Sequence, residues 1–365
     1  MEIRVKRSQL LNELVPMQGI VERRTTIPVL SHILLRGNGD QLHLAATDLD
    51  VSLTTSCQAE VDGEGGIAVQ ARKFLEIIRA VVGDEVRLSL EDEKRLSIVA
   101  GKSRFKINGL APEDFPTLPD VKSEEGIKIP FGRFKGMIGK VIFAVSAEES
   151  RFQLNGALLR VKDDALELVA TDGHRLALVE NPLEGGKDGE GVLVPRKALQ
   201  ELLRFEGQET VEFRRSEHHL SFQLEQRELI CRILEGTFPD YERVIAKDND
   251  RQATFDRKNL AEAVQRVALL TGDRARAVSV LIEGEKVMIS AANPDLGEAA
   301  EEVVCEYGGS EIRLGINPDY MSQFLSAVDT DKVLFELKDE NTQAIGFPVE
   351  GHDKRYLCVI MPMRI

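Results

Sequence analysis

The chain says nearly the same thing three times, at a spacing of just over 120 residues, and this repetition constrains its fold more than any other feature. Residues 30–48 superpose on residues 154–172 at an offset of 124 without a gap, and ten of nineteen positions are identical. The matches include Leu34-Leu35-Arg36 on Leu158-Leu159-Arg160 and Ala46-Thr47-Asp48 on Ala170-Thr171-Asp172. The same offset lays Ala71-Arg72-Lys73-Phe74-Leu75 on Pro195-Arg196-Lys197-Ala198-Leu199. A fainter third copy follows at an offset of 121, with Val287, Ile289, Ala291 and Asn293 on Leu166, Leu168, Ala170 and Asp172. Phe115-Pro116, Phe238-Pro239 and Met361-Pro362 close the copies, each 123 residues from the last. Solenoid units run only ~20–50 residues, so each copy is a domain rather than a solenoid repeat. A unit of this length buries its own core, and three such units over 1–121, 122–247 and 248–365 are expected.

Within a copy the pattern predicts a strand, a helix, two strands, a second helix and three alternating strands. The first helix is expected over Arg7–Ile20, 131–144 and 256–268, with Pro16 inside the first of these as a kink or an early stop. The second helix is expected over Ala71–Ala80, 195–204 and 317–327, with Pro195 and Pro318 near the first turn, where a missing N–H costs nothing. The joints fall near 118–129 and 244–254. Helices laid on antiparallel strands, repeated, make an α+β fold of three tandem copies.

The start, Met1-Glu2-Ile3-Arg4-Val5, alternates as a strand and lacks the apolar stretch of a signal peptide. Apolar runs stay short of the ~18 residues a membrane span needs. Cys57, Cys231, Cys305 and Cys358 are scattered, which fits reduced thiols in a cytoplasmic protein. The six histidines lack ligand spacing, and neither a metal nor another cofactor is expected. Tryptophan is absent and aromatics are few, which argues against base-stacking platforms.

A net charge of −14 at first argues against nucleic acid, but its distribution reverses that reading. The six expected helices together carry +7, which leaves −21 on the rest of the chain. If the helices share one side, that side is positive and suits a phosphate backbone bound without base reading. Arg72-Lys73 and Arg196-Lys197 occupy equivalent positions, with Arg79 and Arg204 one or two turns on.

Thr171-Asp172-Gly173-His174-Arg175 with Ser146 suggests a hydrolytic site, the main alternative to a binding protein. The repeat argues for a turn instead. The position of Asp172 is Asp48 in copy one and Asn293 in copy three, and Asx side chains bond their own backbone two residues on. Gly173-His174-Arg175-Leu176 is different, because it occurs in copy two alone. The chain also ends Val359-Ile-Met-Pro-Met-Arg-Ile, an apolar terminus that something must cover; methionine suits a pocket that takes several ligands. A scaffold without nucleic acid, with incidental helix charge, is a third reading.

Leu154-Asn155-Gly156, Ala170-Thr-Asp-Gly-His-Arg-Leu-Ala177, Val194-Pro-Arg-Lys197, Phe238-Pro-Asp-Tyr241 and Met361-Pro-Met-Arg364 together resemble the β subunit family of bacterial DNA polymerase III, the β sliding clamps. The resemblance covers the whole chain. It implies a homodimeric ring, head to tail, that encircles duplex DNA and tethers the polymerase catalytic subunit for processivity, without catalysis. It implies a groove for peptides of the polymerase, the clamp loader, other polymerases and repair proteins. That groove would use Leu154, Thr171, Gly173, His174, Arg175, Leu176, Pro239, Arg243 and Val244 from copy two. Asn317, Tyr320, Val359, Met361, Pro362, Met363 and Arg364 would come from copy three and the tail. The dimer edges would carry Phe105, Ile107, Leu269 and Leu270. DNA would be faced by Arg24, Arg72, Lys73, Arg79, Arg133, Lys140, Arg196, Lys197, Arg204 and Arg266. Two departures from the family pattern are Ala275 beside the groove and Glu148-Glu149 in a DNA-facing loop.

Overall fold

Among the described residues, eight strands and two α-helices recur in one order, three times. The computed structural model describes the chain apart from residues 23–24, 93, 122–125, 149, 184–188, 273–275 and 350–354. Copy one runs β1 (Glu2–Lys6), α1 (Arg7–Ile20), β2 (His32–Asn38), β3 (Gln41–Thr47), β4 (Val51–Asp62), β5 (Gly65–Gln70), α2 (Ala71–Ala80), β6 (Glu85–Asp92), β7 (Arg95–Ala100) and β8 (Ser103–Leu110). Copy two runs β9 (Ile127–Pro130), α3 (Phe131–Val141), β10 (Gly156–Lys162), β11 (Ala165–Thr171), β12 (Arg175–Pro182), β13 (Val192–Pro195), α4 (Arg196–Arg204), β14 (Thr210–Arg215), β15 (His219–Leu224) and β16 (Arg227–Arg232). Copy three runs β17 (Arg251–Asp256), α5 (Arg257–Ala268), β18 (Val278–Glu283), β19 (Lys286–Asn293), β20 (Gly297–Tyr307), β21 (Ile312–Ile316), α6 (Pro318–Ala327), β22 (Lys332–Leu337), β23 (Ala344–Val349) and β24 (Tyr356–Ile360).

Two strands per copy escaped the pattern reading: β4 and β5, with their counterparts. β4 is long and rich in Ser and Thr, so its buried face does not look apolar. Ser52 and Thr55 are nonetheless buried, because Ser52 bonds the Thr47 hydroxyl and Thr55 donates to Glu13 Oε2 at 2.7 Å. The expected joints also reach into strands, since β9 begins at Ile127 and β17 at Arg251. Three expected helix starts shift by one residue. Asp256 and Asn317 are caps, accepting from Asn259 N and Asp319 N, and Pro195 ends β13. At its far end, α3 stops at Val141 and a 3-10 turn covers Ile142–Ala144.

Pro16 does not end α1, which runs on to Ile20. A proline at this position leaves the carbonyl four residues back without its helical donor. Arg227 Nη2 supplies one, donating to the Asn12 carbonyl at 3.2 Å, while its guanidinium pairs the buried Glu13 carboxylate at 2.8 and 2.9 Å.

The contacts gather into two compact units, Met1–Lys135 with Lys197–Ile233 and Gly136–Arg196 with Leu234–Ile365. Each is organised on a twelve-stranded antiparallel sheet. The division falls inside copy two because sheets run on between copies. The N-terminal half of β4 pairs with β16, the last strand of copy two (Leu53↔Leu229), and the C-terminal half of β4 pairs with β1 (Val61↔Ile3). In the second unit β12 pairs the same way with β24, the last strand of copy three (Leu176↔Val359).

Candidate functional site

The turn between β11 and β12 is built on the Asx position that recurs in every copy. Asp172 Oδ1 accepts from His174 N and Arg175 N at 2.9 and 3.0 Å, as Asp48 Oδ1 accepts from Asp50 N and Val51 N, and Asn293 Oδ1 from Asp295 N. The expected Asx turn is therefore present three times. Thr171 reinforces it by accepting from Gly173 N at 3.1 Å and donating to the Arg175 carbonyl at 2.7 Å. Gly173 takes a φ of 88°, a region glycine enters without steric cost; Leu49 holds the same position in copy one at 81°.

The Asp172 carboxylate is engaged on both oxygens, Oδ1 in the turn and Oδ2 accepting from Arg175 Nε at 3.0 Å. The His174 ring stacks on the Tyr320 ring, centroids 6.4 Å apart, and Ser146 is buried with its hydroxyl accepting from Glu148 N. These three side chains do not form a nucleophile–base–acid relay. Among the described residues no group of three or more His, Cys, Asp and Glu could hold a metal ion.

Arg175 is the keystone. Its side chain is only 8% exposed, and a buried guanidinium must have its donors satisfied. Besides Asp172 it bonds the Gln323 side chain and the Phe143 carbonyl, and it lies 4.4 Å from the Tyr320 ring centroid and 5.2 Å from that of Phe143. It thus ties the start of β12 to α6 and to the 3-10 turn after α3. Burial, then the neighbouring Asp172 carboxylate, pushes the Tyr320 hydroxyl up from its ordinary pKa.

The tail joins the same face. Met361 N donates to the His174 carbonyl at 3.0 Å, and Met363 N to the Gly315 carbonyl at 2.7 Å. A Cβ on Gly315 would stand 2.2 Å from the Met363 carbonyl oxygen, so only glycine admits the tail there. Below lies an apolar cluster of Val169, Leu176, Leu178, Tyr241, Ile345, Leu357 and Val359, with Val244 and Phe238 packed against it. Leu154 is buried; Asn317 caps α6 beside the tail; Pro239, Arg243 and Arg364 are exposed, and Arg243 pairs Asp240 at 2.6 Å. Met361, Pro362 and Met363 remain half-buried.

The structure thus gathers most of the expected groove residues on one face, and it adds Phe143, Gln323, Gly315 and Arg151. Arg151 Nη1 donates to the Asp172 carbonyl at 3.1 Å. A glycine inside the apolar strand β21 was a readable sign of close backbone approach. Gln323, one polar residue in a helix, carried no such sign.

The cations expected to face DNA divide by their partners. Arg72 and Lys73 are exposed and pair Glu76 one turn on, Arg204 pairs Glu201, and Arg266 pairs Glu301 and Glu262. Arg79 and Arg133 lie on exposed faces of α2 and α3. Lys140 pairs Asp329 and lies over the Tyr356 ring. Lys197 is used differently from its equivalent Lys73, for its ammonium donates to Asp48 and to the Ile20 carbonyl. Arg196 is half-buried. Arg24, Glu149 and Ala275 lie outside the described residues.

Three tandem copies of one α+β unit on shared antiparallel sheets, with the Asp172 carboxylate spent on a turn, define a clamp-like repeat architecture. Three family models match in order: the N-terminal, central and C-terminal domains of the DNA polymerase III beta subunit, at residues 1–119, 128–240 and 242–364. The chain is 36% identical to the beta sliding clamp of Pseudomonas putida over 372 residues, covering all of both chains. It superposes on the crystal structure of the Pseudomonas aeruginosa DNA polymerase III subunit beta with a TM-score of 0.94 at 34% identity, again over the whole of both. The Bartonella birtlesii sliding clamp bound to griselimycin gives the same TM-score and identity over the full chains. The chain belongs to the DNA polymerase III beta subunit family, the beta sliding clamps, whose members are processivity factors rather than catalysts.

Proposed function

We propose that two copies of this chain close head to tail into a ring around duplex DNA in the cytoplasm. The ring slides and tethers the replicative polymerase, and its groove captures peptides of the polymerase, the clamp loader, other polymerases and repair proteins. The observation that carries this reading is a pair of unfilled strand edges. β4 and β12 each use their N-terminal half to hold the last strand of the next copy. β20 is the third of the set, and its C-terminal end alone pairs with β17 (Cys305↔Phe255). Among the described residues, β8 beyond β7 pairs only through Gly109 and Leu110, with β5.

An open edge is a pairing template, and a defined partner fills it. The β8 edge of one chain, with exposed Arg104 and Lys106 beside Phe105 and Ile107, suits the β20 edge of another, with exposed Glu298 and Glu302. Leu269 at 77% and Val304 at 72% exposure stand beside that edge as apolar surface for the partner to cover. The domains are taken as 1–121, 122–247 and 248–365. The cations of α2 to α5, together with Arg24, face phosphate, where contacts are individually weak and exchangeable, as sliding requires.

Light scattering during size exclusion tests the assembly, with a mass near twice 40.6 kDa expected. Leu269→Ala with Leu270→Ala yields monomers, and loaded protein stays on circular DNA but runs off linear DNA. A stable monomer at micromolar concentration, or equal retention on both DNA forms, overturns the ring.

A further inference from the structure

Copy one contains the seat that Tyr241 fills in copy two, without a tyrosine to fill it. In copy two Arg160 and Glu167 are cross-strand partners on β10 and β11. Tyr241 inserts beside them and is 5% exposed. Its hydroxyl donates to Glu167 Oε1 at 2.5 Å and accepts from Arg160, whose guanidinium lies 5.2 Å from the ring centroid. The next residue, Glu242, accepts from Arg160 at 3.1 Å and from Lys162 at 2.7 Å.

The repeat offset of 124 puts Arg36 at the place of Arg160 and His43 at that of Glu167, and these two are again cross-strand partners, on β2 and β3. The offset of 123 puts Leu118 where Tyr241 stands. Leucine lacks the phenol, and a cavity of about 460 Å³ opens there, walled by Leu34, Arg36, His43, Phe115 and Leu118. Leu34 and Phe115 belong to a buried apolar cluster against which Leu118 packs. Arg36 and His43 are exposed, and neither side chain makes a hydrogen bond or ion pair among the described residues.

We propose that this cavity is a second docking site, for an extended peptide of a partner protein that presents a tyrosine followed by an acidic residue. The ring of the incoming tyrosine replaces the missing phenol against Leu34, Phe115 and Leu118, removing apolar surface from water. Arg36 lies over the ring and takes the following carboxylate, as Arg160 does for Tyr241 and Glu242. His43, unlike Glu167, either donates to the phenolic oxygen or accepts from its hydroxyl. Asn38 stands where copy two has Lys162, and Glu113 also lines the cavity, so the fit is to one carboxylate rather than an acidic run. This site is separate from the groove at the β11–β12 turn and does not depend on it.

The test uses a fluorescein-labelled synthetic peptide spanning residues 237–243, Thr-Phe-Pro-Asp-Tyr-Glu-Arg, added to the full-length protein. Saturable polarisation with a shift of the His43 ring proton resonances is expected. Leu118→Tyr, which fills the seat from within, and Arg36→Gln, a surface change that leaves the core intact, each weaken binding by at least roughly tenfold. Removal of residues 361–365 leaves binding unchanged. The proposal is overturned by absence of saturable binding, by undiminished binding in Arg36→Gln, or by loss on tail removal, which assigns the peptide to the groove. A thermal melt of Leu118→Tyr establishes that it is folded, and Arg36→Gln decides the matter if it is not.

Discussion

Replacing Arg175 by lysine keeps the charge and removes the geometry, which makes it the most informative change at the proposed groove. The guanidinium serves three acceptors on three elements, Asp172, Gln323 and the Phe143 carbonyl, and lies over two rings. A compact ammonium on a flexible stem cannot span that fork. If it keeps the Asp172 contact, two hydrogen bonds to a charged donor are lost, each contributing ~1.5–3 kcal/mol. The rings give up a further ~0.5–1 kcal/mol. Water and relaxation recover part of this, so a net loss of about 3 kcal/mol is expected. For a unit of this size that lowers the melting temperature by roughly 6–12 °C. The anchor between the β11–β12 turn and α6 also loosens, and affinity for a labelled clamp-binding peptide falls by at least roughly tenfold. Calorimetry and fluorescence polarisation on the purified variant provide both numbers. A melt within about 2 °C of the parent, with unchanged peptide affinity, would refute the assignment of Arg175 as the element that holds the site together.

Two further outcomes follow from buried charge. Arg227→Met strands the Glu13 carboxylate, itself 4% exposed, together with the Asn12 carbonyl that Pro16 leaves without a donor, and should cost ~3–5 kcal/mol in urea denaturation. Glu13→Met in the same chain should restore much of it; equal loss in the single and double variants would show that the pair is not the cause. Glu180 carries a raised pKa, first through burial, against the lowering effect of Arg355, with Glu167 raising it further from the opposite strand position. A carboxyl whose folded pKa is raised contributes its full stability below the unfolded glutamate value and loses it as pH rises through the folded one. Glu180→Gln should therefore flatten the wild-type decline in stability across that window, and an unchanged pH slope in denaturation would count against the assignment.

Much of the fold was legible because it repeats and because its signals are local. Helices Arg7–Ile20 and Ala71–Ala80 lie where periodicity placed them, and the Asx turns at Asp48, Asp172 and Asn293 follow from a side chain reaching its own backbone. β4 and β20 were harder. Ser52 and Thr55 of β4 are buried through hydrogen bonds to Thr47 and Glu13, and among the described residues the N-terminal half of β20 pairs on one side only, with β19, so neither shows clean alternation. The expected groove residues came from a family resemblance; the bonds among Arg175, Asp172, Gln323 and the tail did not.

The sequence alone determined that there are three copies of one α+β unit, where their helices lie to within a few residues, and that copy two carries Gly173-His174-Arg175-Leu176 after an Asx residue common to all three. Tertiary structure decided how the copies share sheets, through β4 with β16 and β12 with β24. It decided that Arg227 serves a carbonyl 215 residues away and that Arg175 reaches Gln323 across 148. It also decided that Leu118 leaves a seat open where Tyr241 fills one. The division has a physical reason. Periodicity and turn chemistry act over a few residues and are written into neighbours, whereas the partner of a buried charge or an unfilled cavity is chosen by packing between segments that carry no mark of one another.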